Sequence, residues 1–224
     1  EEYLWEGDWK VGFSARGGFL APAFAGDGVA TWAPPGESGL ARWLDEIQVR
    51  ELEPELHPEV IGGWWFPEDA SVDARRLTCT LRAACVTLGA TLQMSPSHKV
   101  TSLELRDGHC HAVHLANRRT LTPRTVLLAN GAWMRDLLPV PVVPHKGQSL
   151  SLRCPADNPS LLRRTLFAQD TYIVPKGDGR IVIGATVEPG DFSPDVTAAG
   201  MMHVIGAACG LVPALADLAV EEAW

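Results

Sequence analysis

The chain contains no apolar run approaching the ~20 residues that a membrane-spanning helix needs. Its first residues, Glu1-Glu2-Tyr3-Leu4-Trp5, are not a basic stretch followed by an apolar one, the pattern of a signal peptide. Positive charge is scarce: 19 Lys and Arg stand against 27 Asp and Glu, a formal charge of −8. That balance argues against nucleic acid and anionic membranes as partners, because phosphate binding needs a basic surface. No Cys-x-x-Cys pair occurs. The five scattered cysteines (Cys79, Cys85, Cys110, Cys154 and Cys209) read as free thiols of a reduced, cytoplasmic protein. Gly-x-Ser-x-Gly, the Walker loop, His-Glu-x-x-His and the kinase signatures are missing, which removes their chemistries. Missing too is Gly-x-Gly-x-x-Gly, the turn that sets a dinucleotide pyrophosphate on a helix N-terminus.

What is present suits one sizeable domain, or one domain plus part of another: 224 residues, 46% hydrophobic and 21% charged. Four of the eight tryptophans (Trp5, Trp9, Trp32, Trp43) fall in the first fifth and predict an aromatic packing surface there. Residues 18–24 read as a strand, 39–44 as a short helix, 46–52 as a helical turn stopped near Pro54, and 64–66 as a strand ended by Pro67. The clearest helix spans 73–88. Leu77, Leu81, Ala84, Cys85 and Leu88 recur at helical spacing, Ser71 or Asp73 can cap the start, and Gly89 suits the end. Cys79 and Cys85 on that helix read as core fillers.

After an extended piece at 90–94, strands at 100–106 and 109–115 form a hairpin around Asp107-Gly108. The apolar run 126–129 reads as a strand buried on both faces of a parallel sheet. A helix follows at 133–138, ended by Pro139. The last third is strand-rich, at 149–153, 165–167, 172–174, 180–185 and 219–224, with Gly177-Asp178-Gly179 as a turn. A helix at 197–209 interrupts it, ended by Gly210. Helices alternating with strands first and antiparallel strands later indicate an α+β (mixed α/β) fold. His109, Cys110, His111 and His114 invite a zinc reading. On a strand, however, His109 and His111 share one face and His114 the other, and no second cluster completes a site, so no metal is expected.

Two segments carry more: Gly62-Gly63-Trp64-Trp65-Phe66-Pro67-Glu68-Asp69-Ala70-Ser71-Val72-Asp73 and Leu127-Leu128-Ala129-Asn130-Gly131-Ala132-Trp133. With Asp170-Thr171-Tyr172-Ile173-Val174-Pro175 and residues 179–192, they resemble the flavin-dependent D-amino-acid oxidase family, in its glycine oxidase type associated with thiamine biosynthesis. The resemblance covers the chain from about Gly17 onward. It implies an antiparallel-rich substrate domain with an incomplete FAD-binding α/β layer. Residues 1–68 and 141–224 would be substrate domain, and 69–140 a partial FAD-binding domain. It also implies an internal portion of an enzyme, without the N-terminal Gly-rich turn and the C-terminal arginine segment, and inactive alone.

By the same resemblance FAD is the cofactor, contacted by Val100, Ala129, Asn130 and Gly131. From the residues alone, Val100 is a β-branched strand residue and the small residues serve any tight turn. Tyr172 would hold the substrate carboxylate, a role suited to a phenol that donates a hydrogen bond while its ring packs. Val187 would line the substrate pocket. His145-Lys146-Gly147-Gln148 reads as a structural turn with a solvated lysine. The implied partners are a small amino acid or amine and dioxygen, giving an oxo acid, ammonia and hydrogen peroxide. No side-chain base is required for hydride transfer. A sarcosine oxidase-like or other amine oxidase, or a non-catalytic binding domain that kept the fold, are the alternatives. Apolar surface around 126–129 would drive homo-oligomerisation.

Overall fold

The computed structural model describes residues 13–14, 18–34 and 40–224. Trp5, Trp9 and position 39 of the expected helix lie outside them. The chain divides into two compact units, Glu1–Leu77 with His145–Trp224, and Thr78–Pro144.

The first unit is built on an eight-stranded sheet. Its order is β15 (Ala219–Ala223), β10 (Ser149–Arg153), β13 (Arg180–Gly184), β12 (Thr171–Pro175), β11 (Thr165–Ala168), β2 (Phe19–Phe24), β4 (Val60–Phe66) and β3 (Arg42–Asp45). Every neighbouring pair is antiparallel except β11–β2, which is parallel. Alternation along the strands sends Leu20, Leu150, Leu152, Leu166, Ile173, Ile181 and Ile183 to one face, where all are buried. The helix α4 (Ala198–Leu211) covers that face through Val204, Ala208 and Leu211, spaced for one side of a helix. Thr197 caps it, its Oγ1 accepting from the Gly200 N–H at 3.1 Å. Gly210 does not end this helix, which runs one residue further.

The other face carries a row of rings. Phe19 meets Phe66 at 5.2 Å and Phe167 at 5.5 Å, and Trp64 receives Trp32 at 5.2 Å and Trp43 at 5.6 Å. The expected aromatic surface near the start of the chain thus extends across four strands. Two small ladders complete the unit: β1 (Phe13–Ser14) with β5 (Ser71–Val72), and β9 (His145–Lys146) with β14 (Glu188–Pro189).

Residues 40–44 are not a helix. Trp43 pairs with Trp64 and Leu44 with Gly63, so a ladder to a distant strand decides the conformation. Helix begins only at α2 (Glu46–Leu52), where Asp45 and Gln48 form a reciprocal cap. Asp45 Oδ1 accepts from the Gln48 N–H at 2.9 Å, and Gln48 Oε1 from the Asp45 N–H at 3.1 Å. A short α1 (Gly28–Thr31) is capped one way only, Asp27 Oδ1 accepting from the Ala30 N–H at 2.8 Å.

The boundary between the units falls inside α3 (Ala74–Thr87), whose first-turn Arg76 N–H is accepted by Asp73 Oδ1 at 3.0 Å. None of its residues is buried, and Cys79 and Cys85 are exposed rather than core fillers. No described element packs over their side of the helix. Residues 90–94 form no strand; a 3-10 turn at Pro96–His98 follows. The hairpin of β6 (Val100–Arg106) and β7 (His109–Leu115) turns at Asp107 and Gly108, both at positive φ, and β8 (Thr120–Leu121) extends it.

Residues 126–129 are neither strand nor buried, and Leu127 is 88% exposed. A strand exists only through a neighbour's ladder, and no described strand pairs with this segment. The turn after it is a 3-10 helix, Gly131–Asp136, rather than a helix over 133–138. Gly131 opens it at φ +54°, a conformation glycine adopts without strain.

Candidate functional site

In the first unit Tyr172 stands on the face of the sheet opposite α4. Its neighbour across the ladder is Gly184, and Gly184 in turn faces Ser149 on β10. The Tyr172 hydroxyl lies 3.2 Å from Ser149 Oγ. A Cβ on Gly184 would collide with the phenol oxygen and would sit 2.6 Å from Ser149 Oγ. The tyrosine therefore lies across a strand position that only glycine leaves open. The ring is half-buried, with Phe167 beside it on β11. A phenol in this setting can accept a hydrogen bond from the Ser149 hydroxyl and donate one of its own to an anion.

Past Gly184 the chain runs through Ala185 and Thr186 to Val187, which is 72% exposed. The side chains on either side of Val187 are tied down. Thr186 Oγ1 donates to Glu188 Oε1 at 2.6 Å, and Gln148 Nε2 donates to the same oxygen at 2.6 Å. These two bonds hold the Glu188 carboxyl below its ordinary range. Lys146 is not solvated as expected: its Nζ lies 3.1 Å from Asp191 Oδ2 and 3.6 Å from Glu188 Oε2, with 11% of the side chain exposed. The Asp191 hydrogen bond raises the Lys146 pKa. The Ser193 N–H and then Lys146 lower that of Asp191.

In the second unit Lys99, Val100, residues 127–130 and Trp133 line a cavity of about 390 Å³. Val100, Ala129 and Asn130, separated by up to 30 positions, are thereby brought to one place. Gly131 adjoins them in sequence but does not line the cavity. The Asn130 Oδ1 is buried and has no hydrogen-bond partner. A buried acceptor without a donor costs about 1–3 kcal/mol, and a ligand bearing N–H or O–H groups would supply the donor. With apolar walls from Val100, Leu128 and Ala129, the cavity fits part of a large planar cofactor such as FAD. His109 and Cys110 line a separate cavity of about 400 Å³. His114 Nδ1 pairs with Thr120 Oγ1 at 3.1 Å. Among the described residues no group of three His, Cys, Asp or Glu could hold a metal ion, and no helix is long and apolar enough to cross a membrane.

Ser149, Thr186, Gly184 and Glu188 were given no role in the reading of the sequence, and Gln148 only that of a structural turn. Gly184 alone carried a signal, as a glycine inside an apolar strand, which marks close approach of another group. The rest are polar residues whose partners lie up to 49 positions away.

The profile of the FAD dependent oxidoreductase family, DAO, matches residues 5–224. The chain is 41% identical over 210 residues to the bifunctional protein ThiO/ThiG of Synechocystis sp., covering 92% of this chain and 30% of that protein. To the glycine oxidase of Geobacillus kaustophilus it is 32% identical over 201 residues, covering 86% of this chain and 51% of the enzyme. The crystal structure of glycine oxidase from Geobacillus kaustophilus superposes with a TM-score of 0.85 at 28% identity, over 100% of this chain and 61% of that one. Iminodiacetate oxidase from Chelativorans sp. superposes with a TM-score of 0.84 at 29% identity, over 99% and 62%. The chain thus spans less than two thirds of the length of each of these relatives. A match along nearly the whole sequence, joined to the mixed α/β architecture they share, means that this chain belongs to the FAD-dependent oxidoreductase family.

Proposed function

We propose that the chain forms the substrate-binding sheet and part of the cofactor-contacting surface of an FAD-dependent oxidase of glycine or another small amino acid. The observation that carries this reading is Tyr172, whose hydroxyl is held by Ser149 over Gly184 on the face of the sheet opposite α4. There the phenol binds the substrate carboxylate by donating its proton, and its ring gives the substrate an apolar floor. Val187 forms the wall on the side-chain side. Likeness to the glycine oxidase of Geobacillus kaustophilus, in sequence and in structure, supports the small substrate. When bound, FAD supplies the two-electron acceptor for oxidation of the amine, with dioxygen as the final oxidant. Val100, Ala129 and Asn130 would hold it, with Gly131 beside them in sequence, and the unpaired Asn130 Oδ1 would accept from one of its N–H or O–H groups.

The test is Tyr172→Phe in the flavin-loaded, full-length protein. A hydrogen bond to a charged group contributes about 1.5–3 kcal/mol, so KM for glycine should rise at least about tenfold. An unchanged KM would remove Tyr172 from the substrate site. An N-substituted glycine is the second reading, favoured by the likeness to iminodiacetate oxidase and by the exposure of Val187. Sarcosine assayed beside glycine distinguishes the two.

A further inference from the structure

We propose that Glu188 is a positioning residue that sets the size selectivity of the substrate site, by fixing Val187 outward between two side chains anchored on Gln148. The proposal rests on the reading of Tyr172 and Val187 as substrate contacts.

The anchor is Gln148, 1% exposed. Its Oε1 accepts from the Thr197 N–H at 2.6 Å, at the cap of α4. That bond fixes the amide orientation, leaving Nε2 to donate to Glu188 Oε1 at 2.6 Å and to Thr197 Oγ1 at 3.0 Å. Gly200 leaves the space the amide occupies, since a Cβ there would sit 2.5 Å from Nε2. The Thr186 hydroxyl accepts from the Gln148 backbone N–H at 2.8 Å, so its one proton goes to Glu188 Oε1 at 2.6 Å. Gln148 Nε2 thus divides its two protons between Glu188 and Thr197, and the Glu188 carboxylate is where one of them and the Thr186 hydroxyl proton converge.

The consequence for Val187 follows from the bonds on either side of it. The side chains of Thr186 and Glu188 are both tied to Gln148, and Val187 between them is left facing outward. Val187 is accordingly the exposed one. Lys146 adds a second clamp on the same loop through Asp191 and Glu188, and the ladder pairs Lys146 with Glu188. The segment that provides Lys146 and Gln148 continues into Ser149, which holds Tyr172. One short run of chain thus fixes both proposed substrate contacts relative to each other. A wall held this rigidly favours a small substrate; released, it admits a larger one at the expense of glycine. Glu188 does this without touching substrate.

The experiment uses the flavin-loaded, full-length protein with Glu188→Ala, Glu188→Gln and Thr186→Val. In Glu188→Ala, KM for glycine should rise about tenfold with kcat held within about twofold, and the ratio of kcat/KM for D-alanine to that for glycine should rise at least about threefold. Thr186→Val, which removes one of the two converging donors and no charge, should move the same ratio in the same direction. Glu188→Gln, whose carbonyl oxygen still accepts both bonds, should restore the wild-type ratio. Unchanged selectivity in the alanine and valine variants overturns the proposal, as does a glutamine variant as altered as the alanine one. Tyr172→Phe is assayed in parallel. If it raises KM while the Glu188 variants do nothing, positioning alone fails; if it too is silent, the substrate-site reading fails.

Discussion

Replacing Glu53 by Gln should change how stability depends on pH. Glu53 ends α2 with its side chain fully buried. Its two carboxyl oxygens accept from the Arg163 N–H at 3.0 and 3.2 Å, and Arg164 Nη1 lies 3.8 Å away. Burial pushes the carboxyl up from 4.5 to about 7, against the opposing pull of that N–H and the two arginines. Below pH 4.5 the group is protonated in folded and unfolded chains alike, and its contribution is fully present. As pH rises from 4.5 to 7 the unfolded chain ionises freely while the folded one resists, and the contribution is lost. At about 1.4 kcal/mol per pH unit the loss comes to about 3 kcal/mol. Glu53→Gln keeps an acceptor for the Arg163 N–H and cannot ionise. Urea denaturation of both proteins from pH 4.5 to 8, followed by tryptophan fluorescence, reads the difference directly. The variant should gain about 3 kcal/mol on the wild type across that window. A difference constant with pH would refute the reasoning.

Gly184→Ala places a methyl group in the Tyr172 phenol; overpacking of this kind costs about 1–3 kcal/mol, and a variant unfolding at the wild-type urea midpoint would deny the close approach. Leu127, 88% exposed, lies in the apolar segment expected to drive self-association, so Leu127→Asp should shift sedimentation toward monomer, whereas unchanged sedimentation would move that surface elsewhere. Arg75 bonds Glu222 at 2.7 and 3.0 Å and its guanidinium lies 4.6 Å from the Trp224 ring. Both partners are about half exposed, so Arg75→Ala should cost no more than about 1 kcal/mol, and less in high salt.

The readable parts of the fold are those decided locally. Asp107-Gly108 must turn, Gly89 and Asp73 bracket a helix, and Pro67 ends β4 wherever the rest of the chain goes. Likewise the alternation of Leu150, Leu152, Ile181 and Ile183 was plain, because one face of their sheet is buried. What stayed hidden depends on distant partners. Leu44 becomes a strand residue because Gly63 lies opposite, and residues 126–129 stay outside any ladder because no described strand borders them. Lys146 looks solvated until Asp191, 45 positions on, is folded against it. The candidate site divides in the same way. Tyr172, Val100 and Asn130 were recognisable through the motifs around them. Ser149 was not, and Gln148 was read only as part of a turn, since a serine and a glutamine acquire their roles only from the groups they meet.

The most direct test is the visible absorption of the purified full-length protein, native and denatured, and again under anaerobic glycine and sarcosine. The account predicts a flavin band that is released on denaturation and bleached by one of these amines. A protein that carries no flavin, or a bound flavin that neither amine reduces, would contradict it.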